Sequence, residues 1–438
     1  MKVPLLRKFD LRILVTILIL LISLGFSYLL PVAQKTREVQ RNYPAQACPA
    51  LSAAGSNFAY LPASKLGVRG IDGKSTKFAI TSRTVVSLGS SALLIDSNPG
   101  ASLTYSTSPA SGIAATMCSP GIPDQWFVGG SGGLTSKGAI DLVNSGLSDS
   151  IVDLHPFTSK GELRVIPVKV RANSSATVRL DALAPGDDAM AVHVVTRTGR
   201  VSTFVLDQRA KGLSKLGMDY VKPSDSPRTQ LFLTGIYPHN GKKSSVQNTL
   251  RLLAPGSLDA TIHVQVISGD GSFVPVGFDG MTLKHGVVSN IPLTNLTTTT
   301  AFGLQIDSDQ PILAGALTTI GSKDFAWSAP VSEFESTSMN FGGNTPLITF
   351  IGSKISVNIS GLYSNGRRFS QRISGSEIAF WAPKLGVNAV HFTVRVHSGI
   401  YAGALITLSG GLTYFPIAPG ASIENTALPF NDVHTLTH

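Results

Sequence analysis

The chain has 438 residues, a formal net charge of +10, 43% hydrophobic residues and only 14% charged ones. That balance supports several packed cores and excludes a disordered chain, and at about 150 residues per domain it points to about three folded units. Two cysteines exclude a disulfide-dense mini-protein and a four-cysteine zinc module, while 43 glycines and 25 prolines without a three-residue period exclude collagen.

The first element in chain order is an uncharged run from Ile13 to Ala33 with the core ILVTILILLISLGFSYLL. Its length and apolarity match a hydrocarbon layer of about 30 Å. Lys2, Arg7, Lys8 and Arg12 precede it against a single acid, Asp10, and a short basic flank is retained in the cytoplasm. Residues 1–12 are therefore expected to be a cytoplasmic tail, 13–33 a single-pass transmembrane anchor in the lipid bilayer and 34–47 a linker, with the C-terminal bulk extracytoplasmic. The rival is a cleaved signal peptide. Its apolar region spans about 7 to 15 residues, shorter than this run, and the small-x-small triplet Ala45-Gln46-Ala47 lies well past the apolar end. Cys48 is likewise too far from the run to be a lipid attachment site.

Residues 1–41 hold seven basic residues and two acids, half of the net charge, and the rest is spread thinly over the remaining chain. No basic patch with interleaved aromatics is apparent, so nucleic acid is not an expected partner; a cell-wall polymer or an envelope protein is. Cys48 and Cys118 both lie beyond the anchor, where disulfides persist. A single bridge between them would close a loop of about 70 residues and contribute roughly 4 kcal/mol in the chain-entropy model; two buried free thiols are the alternative.

Beyond the anchor the chain repeats. VNSGLSDSIVDL and LAPGSLDATIHV place Gly146, Asp149 and Val152 against Gly256, Asp259 and Ile262, each 110 positions later, and Gly161 and Gly271 keep that offset. Asn365-Gly366 lies 95 positions beyond Asp270-Gly271, and such pairs suit tight hairpin turns. Ala314 to Leu317 and Ala402 to Leu405 share the sequence AGAL, each succeeded by Ala-Pro at Ala329-Pro330 and Ala418-Pro419. Period-2 alternation is explicit in AVHVVTRTGRVSTFVLD, TIHVQVIS and HFTVRVHS. Only a short turn near Asp207 to Gly217 departs from strand pattern. The expected fold class is all-β: tandem immunoglobulin-like antiparallel β-sandwich units behind one transmembrane helix. Residues 48–135 form a divergent β unit in this reading, with sandwich repeats at 136–226, 227–331 and 332–438; a propeller or a pair of fused barrels are competing architectures.

The order of features resembles an actinobacterial cell-envelope family catalogued only as a domain of unknown function. The residues that carry the resemblance are Cys48-Pro49 after the membrane helix, Cys118 before Trp126 and Gly129 to Gly133, then LVNSG, LDALAPG, AVHVVTRTGRV and LGMDYVKPS. The resemblance implies an envelope location and tandem β architecture, and brings no catalytic residues with it.

Gly129-Gly130-Ser131-Gly132-Gly133 spells the G-x-S-x-G of a nucleophile elbow, which needs a strand before it and a helix after it. The adjoining segment LTSKGAIDLVNSG reads as turn and strand, so a glycine-rich loop is the preferred reading and a serine hydrolase using Ser131, with a partner such as His155, the alternative. The nine histidines form no zinc pattern. His193 and His263 stand seven residues past matching LAPG turns, suggesting one architectural position, and His391 and His397 share a strand face. Asp187-Asp188 and Asp307/Asp309 read as solvated turn acids. No phosphate or dinucleotide loop is present, so no cofactor, metal or catalytic residue is expected. Trp126, Trp327 and Trp381 would be the stacking platforms of a cell-wall glycan binder. The reading favoured on sequence is a non-catalytic, membrane-anchored envelope protein acting as scaffold or binding module.

Overall fold

The computed structural model describes residues 11–29, 38–39, 46–50, 55–62, 65–71, 79–81, 83–96, 100–108, 112–224, 226–239, 245–294, 296, 298–333, 335–395, 399–408, 411–419 and 426–427. Residues 30–33 of the expected anchor, with the histidines His397, His434 and His438, lie outside the described residues. The chain divides into two units, one of Met1–Asn42 with Glu424–His438 and the other of Tyr43–Ile423. The first holds a 19-residue helix, Leu11–Leu29, and an antiparallel pair of Glu38–Val39 with Thr426–Ala427. Among the described residues no helix is long and apolar enough to cross a membrane.

The described residues of the second unit are all-β apart from the short helix Leu180–Leu183. Its first repeat contains β1 (Gln46–Cys48), β2 (Ser56–Tyr60), β3 (Leu66–Gly70), β4 (Ala79–Thr81), β5 (Val85–Ser87), β6 (Leu93–Ile95), β7 (Leu103–Ser108) and β8 (Gly112–Met117). They form two antiparallel sheets of order β1-β6-β3-β4 and β5-β2-β7-β8. Cys48 and Cys118 are disulfide-bonded, tying β1 to the end of β8.

The same order recurs three times. In the second repeat Asp124–Val128, Met190–Thr198, Ser150–Thr158 and Ile166–Val170 make the first sheet, and Ser174–Arg179, Ala139–Asn144, Val201–Lys211 and Ser214–Val221 the second. In the third repeat the sixth and seventh strands fuse into one 19-residue strand, Phe302–Ile320, whose halves pair in different sheets. In the fourth, Leu347–Tyr363 fuses the second and third strands and Arg368–Trp381 the fourth and fifth. Gly161, Gly271 and Gly366 all turn the hairpin after the third strand with φ of 114°, 115° and 80°, a region open to glycine without a Cβ penalty.

Alternation buries one face of each sheet against its partner. Val152 and Leu154 of one sheet meet Ile140 and Leu142 of the other in the second repeat, and Ile262 and Val264 meet Leu250 and Leu252 in the third. Further apolar clusters join the repeats in a closed ring. Leu94 packs with Tyr220 between the first and second, Phe157 with Leu313 between the second and third, and Ala326 with Tyr414 between the third and fourth. Tyr105 and Ile113 of the first repeat then enter the core of the fourth beside Phe350 and Phe415.

Four sequence expectations change. The boundary at 135 moves, because Asp124–Val128 pairs with Met190–Thr198 and so opens the second repeat. The strand order differs from the A-B-E-D and C-F-G sheets of an immunoglobulin domain. Residues 207–217 form the hairpin between Val201–Lys211 and Ser214–Val221. His193 and His263 are not equivalent: the first lies on the sixth strand of its repeat, the second on the third, because the two LAPG segments occupy different connections.

Candidate functional site

The eighth strands of the four repeats meet at the centre of the ring, and Asp324 opens the one from the third repeat. Its carboxylate accepts backbone N–H groups from the other three: Met218 at 3.1 Å, Leu412 at 3.0 Å and Ile113 at a long 3.5 Å. Glycine stands at the equivalent place in each of those strands. A Cβ on Gly411 would lie 1.8 Å from Oδ2 of Asp324, and one on Gly217 2.6 Å from Oδ1. The arrangement thus admits one carboxylate and three glycines. Burial pushes the Asp324 carboxyl up to about 8, backbone N–H groups pull against that, and nearby Asp219 adds to the rise.

Asp219 lies two residues beyond Gly217 on its own strand. It accepts the Trp327 N–H at 2.8 Å, the Thr413 hydroxyl at 2.7 Å and the Lys222 ammonium at 2.7 Å. Thr413 accepts the Ala115 N–H at 2.8 Å, so this layer again links all four repeats. Burial raises Asp219 to about 6, with Lys222 the main opposing influence. Nearby, Arg251 is fully enclosed and donates to the carbonyls of Gly130, Met190 and Asp188 and to Asn290, with its guanidinium 4.8 Å from the Trp327 ring. Trp327 Nε1 donates to Asp207, which also pairs with Arg209. These buried charges are matched by partners, as a desolvated ion must be. Their geometry holds repeats together and presents no open coordination position.

Ser131 is 1% exposed, and its hydroxyl donates to Asp188 at 2.7 Å while accepting the Gly133 N–H at 3.1 Å. The next element is the strand Ala139–Asn144, so the helix of a nucleophile elbow is absent from this position. His155 belongs to a different network, 3.6 Å from Glu162. Asp187 is not a solvated turn acid: it is buried and accepts from Ser159 and Ala189. Asp307 and Asp309 lie within the strand Phe302–Ile320 and accept from Gln230 and the Thr261 N–H.

A cleft of about 440 Å³ opens between the second and third repeats. Trp126, His193 and His155 line one wall because they are paired across three neighbouring strands, Trp126 opposite His193 and His193 opposite His155. The Trp126 and His193 rings stack 3.9 Å apart within 3° of parallel, and His193 Nε2 lies 2.8 Å from Asp124. Pro255, Leu258 and Pro311 form the opposite wall. An apolar cleft with a few convergent polar groups is the usual form of a small-ligand site. Trp381 is buried in the core of the fourth repeat and borders a second pocket, and Trp327 is wholly interior and serves as core. Among the described residues no group of three or more His, Cys, Asp and Glu side chains could hold a metal.

Sequence reasoning missed the axial groups. Asp324, Asp219 and Arg251 each look locally like ordinary surface charges, and the N–H partners of Asp324 lie 211, 106 and 88 positions away.

A ring of four β-sandwich repeats with a polar axis defines an all-β tandem-repeat protein. The model of the family of unknown function DUF5719 matches residues 83–372, and the chain belongs to that family. No curated protein matches it. A solved structure of infectious bursal disease virus, Gx strain, aligns with 85% of this chain and 78% of its own at 10% identity and a TM-score of 0.11, which carries no argument about fold or function.

Proposed function

We propose that this protein is a non-catalytic, membrane-anchored scaffold and binding module of the cell envelope. Residues 13–33 hold it in the bilayer and the ring lies outside the cell. Each repeat is a two-sheet antiparallel β-sandwich with its own strand order. The observation that carries the reading is the axis: the buried ionisable groups Asp324, Asp219 and Arg251 have partners that join the repeats, and Lys222 neutralises Asp219 from within the same repeat. This chemistry is spent on rigidity, which suits a platform presenting clefts at its rim. The disulfide Cys48–Cys118 accords with an oxidising compartment.

The test is a pair of full-length fusions carrying alkaline phosphatase or green fluorescent protein at the C-terminus. The proposal expects active phosphatase and dark fluorescent protein; the reverse pattern rejects the extracytoplasmic placement. A second reading, a binder of cell-wall polymer, is favoured by Trp126 and Trp381, which line two pockets. The third, a hydrolase using Ser131, has only the Asp188 contact in its favour.

A further inference from the structure

The fused strand Arg368–Trp381 of the fourth repeat runs for 14 residues along the edge of its sheet, and among the described residues it pairs only with Leu347–Tyr363. A pocket of about 600 Å³ opens beside its two ends. Four aromatic residues line it, Tyr363, Phe369, Phe380 and Trp381; Tyr363 and the half-buried Phe369 are 5.4 Å apart, and Phe369 lies 6.4 Å from the buried Trp381 with planes within 22°. Trp381 is held in place by its Nε1, which donates to Gln371 at 3.1 Å. Arg367 places its guanidinium 5.2 Å from the Tyr363 ring, and exposed Lys384 stands on the rim.

No carboxylate lines this pocket, and among the described residues neither Arg367 nor Lys384 is paired with an acid. Flat aromatic faces bind the apolar face of a planar or ring-shaped ligand, and uncompensated cations at the rim select a negatively charged one.

We propose that the Tyr363–Phe369–Trp381 pocket binds a segment of anionic polysaccharide, one sugar ring stacked on the aromatics and its carboxylate or phosphate paired with Arg367 and Lys384. The disulfide favours a polyanion of the envelope over a nucleic acid, because it marks an oxidising compartment. This inference rests on the extracytoplasmic reading above and gives it a ligand class.

The experiment titrates the full-length protein in detergent micelles, by calorimetry and tryptophan fluorescence, with four hexamers: galacturonate, phosphorylated mannose, neutral maltohexaose and oligo-dT. At least one acidic saccharide is expected to bind saturably, at least tenfold tighter than maltohexaose and oligo-dT. Which of the two prevails tells carboxylate from phosphate. The surface variants R367E and K384E, combined, should weaken binding at least tenfold without moving the unfolding midpoint, and W126F should bind as the parent does. Absence of saturable binding by both acidic saccharides, unchanged affinity in the charge-reversed variant, or tighter binding of oligo-dT overturns the proposal. Failure here with active phosphatase fusions rejects the pocket and leaves the scaffold standing; inactive fusions reject the scaffold whatever the titration gives.

Discussion

Oδ2 of Asp324 accepts the backbone N–H of Leu412 at 3.0 Å, across the boundary between the third and fourth repeats. The residue before Leu412 is Gly411, where a Cβ would fall 1.8 Å from that same oxygen. One carboxylate thus explains a hydrogen bond and a glycine in a neighbouring repeat.

This coupling is measurable. Asp324→Ala leaves buried N–H groups without an acceptor, at about 1–3 kcal/mol each, and Gly411→Ala alone destabilises by collision with the carboxylate. Gly411 does not have positive φ, so alanine carries no backbone penalty there. The double variant should therefore lose at least about 1 kcal/mol less than the sum of the single losses. Urea unfolding midpoints of the four proteins check this; additive losses would remove the axial contact from the account.

The pH dependence comes from the two axial acids. Asp324 and Asp219 sit at about 8 and about 6 in the fold, against 3.8 for an ordinary aspartate. A carboxyl raised on folding stays protonated where the unfolded chain has lost its proton, so its stabilisation is complete below the unfolded value and fades as pH climbs through the folded one. Stability should fall between pH 5 and pH 8, with Asp324 contributing on the order of 3 kcal/mol. Asp324→Asn should flatten that slope in denaturant titrations at a series of pH values.

Cys48 and Cys118 are 0% and 6% exposed, so the bridge is shielded in the native state. Thiol labelling after mild reductant should find both cysteines protected, and full labelling should need denaturant as well. Cys48→Ser with Cys118→Ser should cost roughly 4 kcal/mol, as the chain-entropy model gives for a loop of about 70 residues.

Ser131 should not react with a fluorophosphonate probe, since its hydroxyl is buried and bonded to Asp188. Ser131→Ala should lower stability by about 1 kcal/mol through that lost bond. Labelling that disappears in Ser131→Ala would establish a nucleophile and revive the hydrolase reading.

The repeating hairpins were legible because turns are local. Gly161, Gly271 and Asn365-Gly366 announce a backbone conformation within a few residues, and the strands around them alternate with period 2. The ring was not legible, because Asp324 gains its meaning from amides over 80 positions away or more. Pro311 misled in a different way. It reads as a turn after Asp309, but it has no paired residue opposite it where the strand passes from one sheet to the other, a place that tolerates a missing N–H.

The central claim is that a ring of four repeats stands outside the cell on an uncleaved N-terminal tether. Protease added to intact cells, with mass spectrometry of the membrane fraction, tests it directly. The account predicts that peptides from residues 43–423 are released only after prolonged digestion, and that residues 1–33 stay in the membrane. A ring untouched until cells are lysed, or a mature chain beginning after residue 33, would contradict it.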